Sequence, residues 1–449
     1  MTDARVSIDE AEAFLAANPG VQWVDAFVFD MNGIPRGKRI RRSDLLRVVK
    51  SGLMMPSSVF IMDPLGNCVP ETGRLWETGD ADLQCRLLSG TLTPIPVGDG
   101  RHAQVVMVID GQDDLDPRAV LAKQVERFAR AGRTPAAAVE LEFYVAKAAK
   151  NGAFAFHHPE GISDDPRRPL TFGFEEIDAL SPFIDDIYRI CEVQGLPVEA
   201  VMKESGPGQF EINLKHRPDA VAAALDGLLL KRAVKAAARA HQLQATFMAK
   251  PHQDWAGSGM HIHLSLLDQS GHNLFAGEPI SPLFRHALGG LRETMPDFMA
   301  VWAQSANAYR RYVPKAYVSM TAVWGFNNRT VALRIPHGNG AATRVEHRIA
   351  GADANPCLVI AAILAGISHG IANAVDPGPG VDGNSELIDA PPLPTAWINS
   401  LDIFQGSAIV KGAFGPVFQD VFARLKHAER SNFERIVTPL DHLWYSRVA

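Results

Sequence analysis

Ala136-Ala137-Ala138-Val139-Glu140-Leu141-Glu142-Phe143-Tyr144-Val145 reads as a β-strand with two unlike faces. A strand points successive side chains to opposite sides, so Glu140 and Glu142 share one face while Val139, Leu141 and Phe143 share the other. One E-x-E alone is ordinarily a solvated strand face. Here the same two-residue period returns with other polar types. His261-x-His263-x-Ser265 follows the flexible Ala256-Gly257-Ser258-Gly259, and Arg344-x-Glu346-x-Arg348 places two cations and a carboxylate together. Glu204 and Glu211 flank S-G-P-G-Q-F, a turn able to fold both carboxylates into one cleft. Together these segments predict a sheet or partial barrel with one polar face that serves as a site.

Around that strand the pattern alternates. Gln209–Leu214, Ala245–Ala249, Met260–Leu266, Thr330–Ile335 and Arg344–Ile349 read as strands. Ser181–Gln194, Ala220–His241 and Pro282–Thr294 read as helices, and Asn355-Pro356 opens an apolar helix to about Ala374 in the N-cap plus proline arrangement. Residues 376–394 are Pro/Gly-rich and read as a surface loop before a helical C-terminal segment. Toward the N-terminus, residues 8–18 form a helix and Val24–Asp30 a strand. M-N-G-I-P-R-G-K-R-I (31–40) is a turn interrupting a basic run. Prolines then bound short strands such as Val59–Met62 and Gln104–Ile109, and a helix with proline in its first turn covers Arg118–Ala131. The shift in composition divides the chain into domains at 1–110 and 111–449.

Composition sets the outer limits. In 449 residues, 47% are hydrophobic and 21% charged, which fits a globular chain and excludes disordered, collagen-like and coiled-coil classes. The net charge of −6 and pI near 6.2 argue against a nucleic-acid partner, which needs concentrated positive charge. Cys68, Cys85, Cys191 and Cys357 form no C-x-x-C pair, so neither a zinc ribbon nor a disulfide framework is expected. The polar start lacks the features of a secretory signal, and the apolar stretch Cys357–Ile367 is shorter than the roughly 20 residues of a membrane span. A cytoplasmic protein with no membrane partner is expected.

Glu140, Glu142, Glu204, Glu211 and Glu346 with His261 make a hard, oxygen-rich donor set suited to Mg²⁺ or Mn²⁺. Five carboxylates exceed the need of one ion, so two or more are expected. Arg311, Arg329, Arg334, Arg344 and Arg348 lie close in sequence, and guanidinium forks match both a triphosphate and a carboxylate substrate.

These motifs resemble the glutamine synthetase superfamily over most of the chain. The shared signatures, in order, are V-E-L-E-F-Y (139–144), E-S-G-P-G-Q-F-E-I-N (204–213), F-M-A-K-P (247–251) with G-S-G-M-H-I-H-L-S (257–265), N-A-Y-R-R-Y-V-P (307–314), N-N-R-T-V-A-L-R-I-P (327–336) and R-V-E-H-R (344–348) with D-A-N-P (353–356). W-E-T-G-D-A-D (76–82), G-T-L-T-P-I-P (90–96), F-I-D-D-I-Y (183–188) and A-K-P-H-Q-D (249–254), with the 31–40 segment, resemble its γ-glutamylpolyamine (γ-glutamylputrescine) synthetase branch.

The resemblance implies an α+β fold. A small β-grasp-like N-terminal domain precedes a larger catalytic domain, whose curved, mostly antiparallel sheet is a partial barrel backed by helices. It implies a ring of subunits, commonly two stacked hexamers, with active sites between neighbours. By position, Glu142, Glu204 and Glu211 correspond to ligands of a first metal, and Glu140, His261 and Glu346 to those of a second. Glu199, His263, Ser265 and Arg334 correspond to nucleotide contacts, with Arg344 beside them. Gly257, Arg311 and Arg348 correspond to the glutamate site, and Arg329 to the arginine that stabilises the transferring phosphoryl group. The implied reaction activates the γ-carboxylate of glutamate with ATP as an acyl phosphate, which an amine then displaces.

The departures bear on the acceptor. Where ammonia-using relatives carry a glutamate that takes the proton from ammonium, this chain has Tyr317. Where they carry an acidic residue that helps hold ammonium, it has Met55. Loss of two carboxylates weakens the field for a small cation, and Met55 with Tyr317 forms a wider, more apolar amine pocket. Ammonia is therefore expected to be a poor acceptor, and either Glu211 or Tyr317 takes the amine proton or the amine arrives neutral. Asp63 or Glu71 could meet the distal ammonium of a diamine. Ile388 stands where relatives carry an adenylylation tyrosine, so that control is expected to be absent, and Met202 and Lys203 replace histidines before Glu204. The alternatives are a monoamine (ethanolamine, alkyl- or arylamine) ligase, glutamine synthetase itself, and a catalytically silent paralogue.

Overall fold

The computed structural model describes residues 4–147, 158–160, 162, 170–338 and 340–448. In chain order its strands are β1 (Trp23–Phe29), β2 (Pro35–Arg41), β3 (Leu53–Pro56), β4 (Asp82–Leu87), β5 (Thr93–Ile95), β6 (His102–Ile109), β7 (Thr134–Lys147), β8 (Val198–Lys203), β9 (Gln209–Leu214), β10 (Leu243–Thr246), β11 (Met260–Leu267), β12 (Trp324–Phe326), β13 (Leu333–Ile335) and β14 (Val345–His347). The first six make one sheet in the order β2-β1-β6-β4-β3, with β5 on β6; β1 is antiparallel to β2 and parallel to β6. The other eight make the second sheet, β12-β13-β14-β11-β7-β9-β8 with β10 on β7, antiparallel except for the β12–β13 pair. The second sheet curls into a nearly closed barrel, and the fold is α+β.

The alternation in β7 does what its sequence says. Ala137, Val139, Leu141, Phe143 and Val145 are buried, as are Ile212 on β9 and Ile262 and Leu264 on β11. The helix Ala220–Ala240 packs on this apolar face. Phe143 packs there against Phe247, with tilted rings whose centroids are 5.5 Å apart. The opposite face is left to the polar residues.

Helix Pro356–Asn373 begins as expected: the Asn355 side chain accepts from Cys357 N at 3.0 Å, and Pro356 fills the first turn. It runs 18 residues and among the described helices is long and apolar enough to cross a membrane, but 72% of it is buried inside the protein, so it is a core helix. Asn355 also donates to the carbonyl of Asp30, at the end of β1, at 3.1 Å, tying the start of this helix to the first sheet.

Several expectations are corrected. Val59–Met62 is not a strand: Ser57–Ile61 is a 3₁₀ turn, because the Asp80 carboxylate accepts from Ser58 N at 2.9 Å and Ser58 Oγ at 3.0 Å and pins the backbone. Its apolar residues are all buried, which explains why they looked like a strand core. The segment 31–40 is a turn only at its start; from Pro35 it is the exposed edge strand β2, whose charges suit an unpaired edge. The strand at 330–335 is limited to β13, because Asn328 Oδ1 accepts from Thr330 N at 2.9 Å and closes a turn. Strands Ala245–Ala249 and Arg344–Ile349 likewise become β10 and the shorter β14.

Candidate active site

The register of the second sheet assembles the polar residues. On β7, Glu140 faces His261 of β11 and Glu142 faces Glu211 of β9. On β14, Glu346 lies between His263 of β11 and Arg334 of β13. Directly opposed residues on one face are within side-chain reach. His261 Nδ1 is 3.4 Å from Glu140 and 3.7 Å from Glu346, and its Nε2 is 4.0 Å from Glu142. His263 Nε2 is 2.8 Å from Glu140 Oε1. Donor atoms of Glu140, Glu211 and His261 lie within 4.8 Å of one another, as do those of Glu140, His263 and Glu346. His263, expected only beside a nucleotide, therefore also belongs to the carboxylate cluster.

Glu204 enters from the turn after β8. Its carboxyl is pushed up to about 7 by burial and by Glu142, with Arg329 pulling the other way. Glu211 is held well above the usual carboxylate range by burial and then by Glu140, Glu142 and Glu204. Burial also works to raise Glu140, but His263 and His261 hold it well below that range. For Glu346 burial opposes ionisation too, yet Arg348 and His261 bring it down to about 2. Arg334 Nη1 donates to Glu346 at 2.8 Å, and Arg348 donates to its other oxygen. The cluster thus has a carboxylate end that repels itself and an end held by arginines.

That imbalance fits a divalent cation. Glu142, Glu204 and Glu211 repel one another, and Arg329 and Lys203 offset only part of this at Glu204, while the donor set is oxygen-rich, as Mg²⁺ or Mn²⁺ requires. Buried polar atoms nearby also lack hydrogen-bond partners: Asn213 Oδ1, Arg311 Nε and Arg348 Nε. Buried polar groups are ordinarily satisfied, so a group of orphans at one place marks a ligand site.

Two regions flank the cluster. On one side a cavity of about 490 Å³ is lined by Glu140, Glu199, His216, His263, Ser265 and Arg344 among others. Arg344 Nε donates to His263 Nδ1 at 3.0 Å. On the other side lie Gly257, Gly259 and Arg311. A Cβ on Gly257 would fall 2.9 Å from Arg311 Cγ, so only glycine lets this loop lie against the buried guanidinium. Gly259 N donates to Glu142 at 2.9 Å, and Gln209 Nε2 bridges Glu142 at 3.3 Å and Gly257 O at 3.0 Å.

The structure does not gather every expected residue. Arg329 is exposed in the turn before β13, and Tyr317, 69% exposed, lines a separate cavity of about 330 Å³ with Thr330 and Glu386. Met55 is buried in β3 opposite Leu83, and no hydrogen bond or ion pair among the described residues joins β3 to the cluster. Asp63 is committed to its own turn, accepting from Asn67 N at 2.8 Å and Nδ2 at 3.0 Å. Sequence reasoning missed His216, whose imidazole is pushed down to about 4 by burial and by the adjacent His263 and Arg344. It also missed Gln209 and Asn213, the latter donating to Glu211 at 3.1 Å. Gln209 and Asn213 carry the signal, since they share the two-residue period of Glu211 on β9.

Comparison with known proteins agrees with this geometry. Residues 114–445 match the catalytic domain of glutamine synthetase. The chain is 38% identical over 444 residues to a γ-glutamylputrescine synthetase of Escherichia coli (strain K12), covering 97% of this chain and 94% of the relative. It is 30% identical over 419 residues to a glutamate–isopropylamine ligase of a Pseudomonas species, covering 88% of this chain and 89% of that one. Among solved structures, the GmaS/ADP complex superposes with a TM-score of 0.84 at 24% identity, covering 98% of this chain and 100% of that chain, which shows the shared fold. With a matching catalytic domain, matching curated relatives and the sheet-borne cluster in place, this chain belongs to the glutamine synthetase family of ligases.

Proposed function

We propose that the chain is an ATP-dependent ligase that joins the γ-carboxylate of L-glutamate to an organic amine through γ-glutamyl phosphate, with a polyamine as acceptor rather than ammonia. One observation carries this reading: carboxylates and histidines from β7, β9, β11 and β14 converge on one sheet face with arginines at its edge. The γ-glutamylputrescine synthetase named above supports the acceptor, as does Tyr317, where the family resemblance implies a carboxylate in ammonia-using relatives.

In this reading Glu142, Glu204 and Glu211 hold one Mg²⁺ or Mn²⁺, and Glu140, His261 and Glu346 hold another. When bound, such cations neutralise phosphate oxygens and the attacking carboxylate. Glu199, His263, Ser265, Arg334 and Arg344 seat ATP in the 490 Å³ cavity. Gly257, Arg311 and Arg348 hold glutamate. Arg329 swings onto the transferring phosphoryl group, Glu211 takes the amine proton, and Met55 with Tyr317 walls the amine pocket.

Among the described residues no hydrogen bond or ion pair joins β3 to the cluster, which supports a pocket completed by a second subunit. We therefore place the active sites between neighbours in a ring of two stacked hexamers. Exposed Ile436, Leu440, Leu443 and Trp444, between 51% and 78% accessible, offer apolar surface for such an assembly. The proposed division is an N-terminal domain, 1–110, and a catalytic domain, 111–449, in a cytoplasmic enzyme.

A second reading, a monoamine ligase, is favoured by Asp63, whose carboxylate is occupied in its own turn and so is not free for a distal ammonium. Phosphate release with ATP and glutamate across ammonium, methylamine, ethanolamine, putrescine, spermidine and an aromatic amine decides between them. A diamine-selective response supports the first reading and a monoamine-only response the second. Ammonium matching every amine in kcat/KM would defeat both.

A further inference from the structure

We propose that Lys203 and Glu176 form a positioning pair that sets the Glu204–Gly208 turn, and through it the carboxylates and glycine loop that receive metal and glutamate. The proposal rests on reading this face as the ligase site. Both groups are deeply buried, Lys203 at 0% and Glu176 at 2% exposure, with Nζ 3.5 Å from Oε2. A buried ion pair stabilises a fold no better than an apolar pair of similar volume, so its position asks for another explanation.

The hydrogen bonds supply one. Lys203 Nζ donates to the carbonyl of Glu204 and, at 2.7 Å, to that of Gly206. Glu176 Oε2 accepts from Gly208 N at 3.0 Å. One ion pair therefore grips backbone groups at both ends and the middle of the turn. The turn passes this order outward: Gly206 N donates to Gln209 Oε1 at 2.8 Å, and the same Gln209 amide bridges Glu142 and Gly257. A Cβ on Gly206 would fall 1.9 Å from the Tyr144 hydroxyl, so the turn is also closed from above. Among the described residues, none of these bonds reaches Glu199, His263, Ser265 or Arg344, which line the opposite cavity.

The consequence is selective. Loss of the pair weakens the Glu142–Glu204 side and the glutamate loop and spares the nucleotide side. The test uses the full-length enzyme with Lys203→Met/Glu176→Gln, which removes both charges so that neither is left buried alone, and with Glu176→Gln as a milder variant. Melting temperature, Mn²⁺ binding followed by electron paramagnetic resonance, and KM for each substrate are measured. The double variant is expected to bind Mn²⁺ about tenfold more weakly, the usual scale for groups that orient metal ligands. Its glutamate KM rises by a similar factor while its ATP KM stays near that of the parent, and its melting temperature falls by a few degrees because the carbonyls of Glu204 and Gly206 lose their donor. A folded double variant with parental Mn²⁺ affinity and glutamate KM overturns the proposal. So does a uniform rise of every KM, ATP included, which marks a merely structural pair. If the double variant does not fold, Glu176→Gln decides by the same readouts: a smaller shift in the same direction supports the proposal, and none overturns it. Failure of the parent to release phosphate with any amine would instead remove the ligase reading, an outcome distinct from a parent-like double variant.

Discussion

At the scale of single residues, environment separates carboxylates that look alike in sequence. Glu346 is pinned by Arg334 and Arg348 and ionises easily, whereas Glu204, beside Glu142, is pushed up to about 7 from an ordinary value of 4.5. Between those two pH values Glu204 holds more of a proton in the metal-free folded protein than in the unfolded chain, so the stability that this group contributes falls as pH rises through the window. A divalent cation competes with the Glu204 proton, so metal affinity rises over the same range. Melting of chelator-treated protein with and without Mn²⁺, from about pH 5 to pH 8, should show a stabilisation by metal that grows with pH; a constant gap would refute proton competition. Arg329 makes a second test. Its guanidinium is exposed, so Arg329→Ala should leave the melting temperature unchanged while lowering kcat about 10³-fold, as loss of a phosphoryl-stabilising arginine does. A loss confined to KM would remove it from that role.

At the scale of elements, β7 does two jobs with its two faces. Its odd-numbered residues pack under the helix Ala220–Ala240, and its even-numbered glutamates face the site. Phe143→Ala removes a buried ring packed against Phe210 and Phe247 and should cost about 3–5 kcal/mol of stability. Because the ring is on the other face, the metal affinity of the folded fraction should hold. Denaturant unfolding and Mn²⁺ binding on one preparation check both halves, and a loss of affinity without a loss of stability would contradict the two-face account. The two-residue period made β7, β9 and β11 legible from sequence, since strand geometry turns spacing directly into facing. The Ser57–Ile61 turn was not legible, because the group that bends it, Asp80, is distant in sequence.

At the scale of the whole molecule, the residues proposed for the amine pocket lie on different parts of the fold. Met55 sits in the first sheet, Arg329 sits in the turn before β13, and Tyr317 lines a separate cavity with Thr330. If subunits share sites, Met55→Arg and Arg329→Ala should each abolish amine ligation alone, yet regain part of it when the two chains are co-assembled, because some sites then combine an intact half from each. Activity of mixed against unmixed preparations checks this, and no recovery in a verified mixed oligomer would place the whole site in a single chain.

The amino-acid sequence alone determined which residues share a face, because a strand's period converts spacing into orientation without help from the rest of the fold. It likewise determined the donor chemistry of the cluster and the family resemblance, since both reside in residue type and order. Only the tertiary structure decided which strands are neighbours, and hence that Glu142 meets Glu211 while Glu140 meets His261. It also decided which carboxylates repel and which are paired, and that a buried Lys203 lies under the Glu204 turn. Pairing, burial and electrostatic coupling join residues far apart along the chain, and their energies depend on distances that no local pattern encodes.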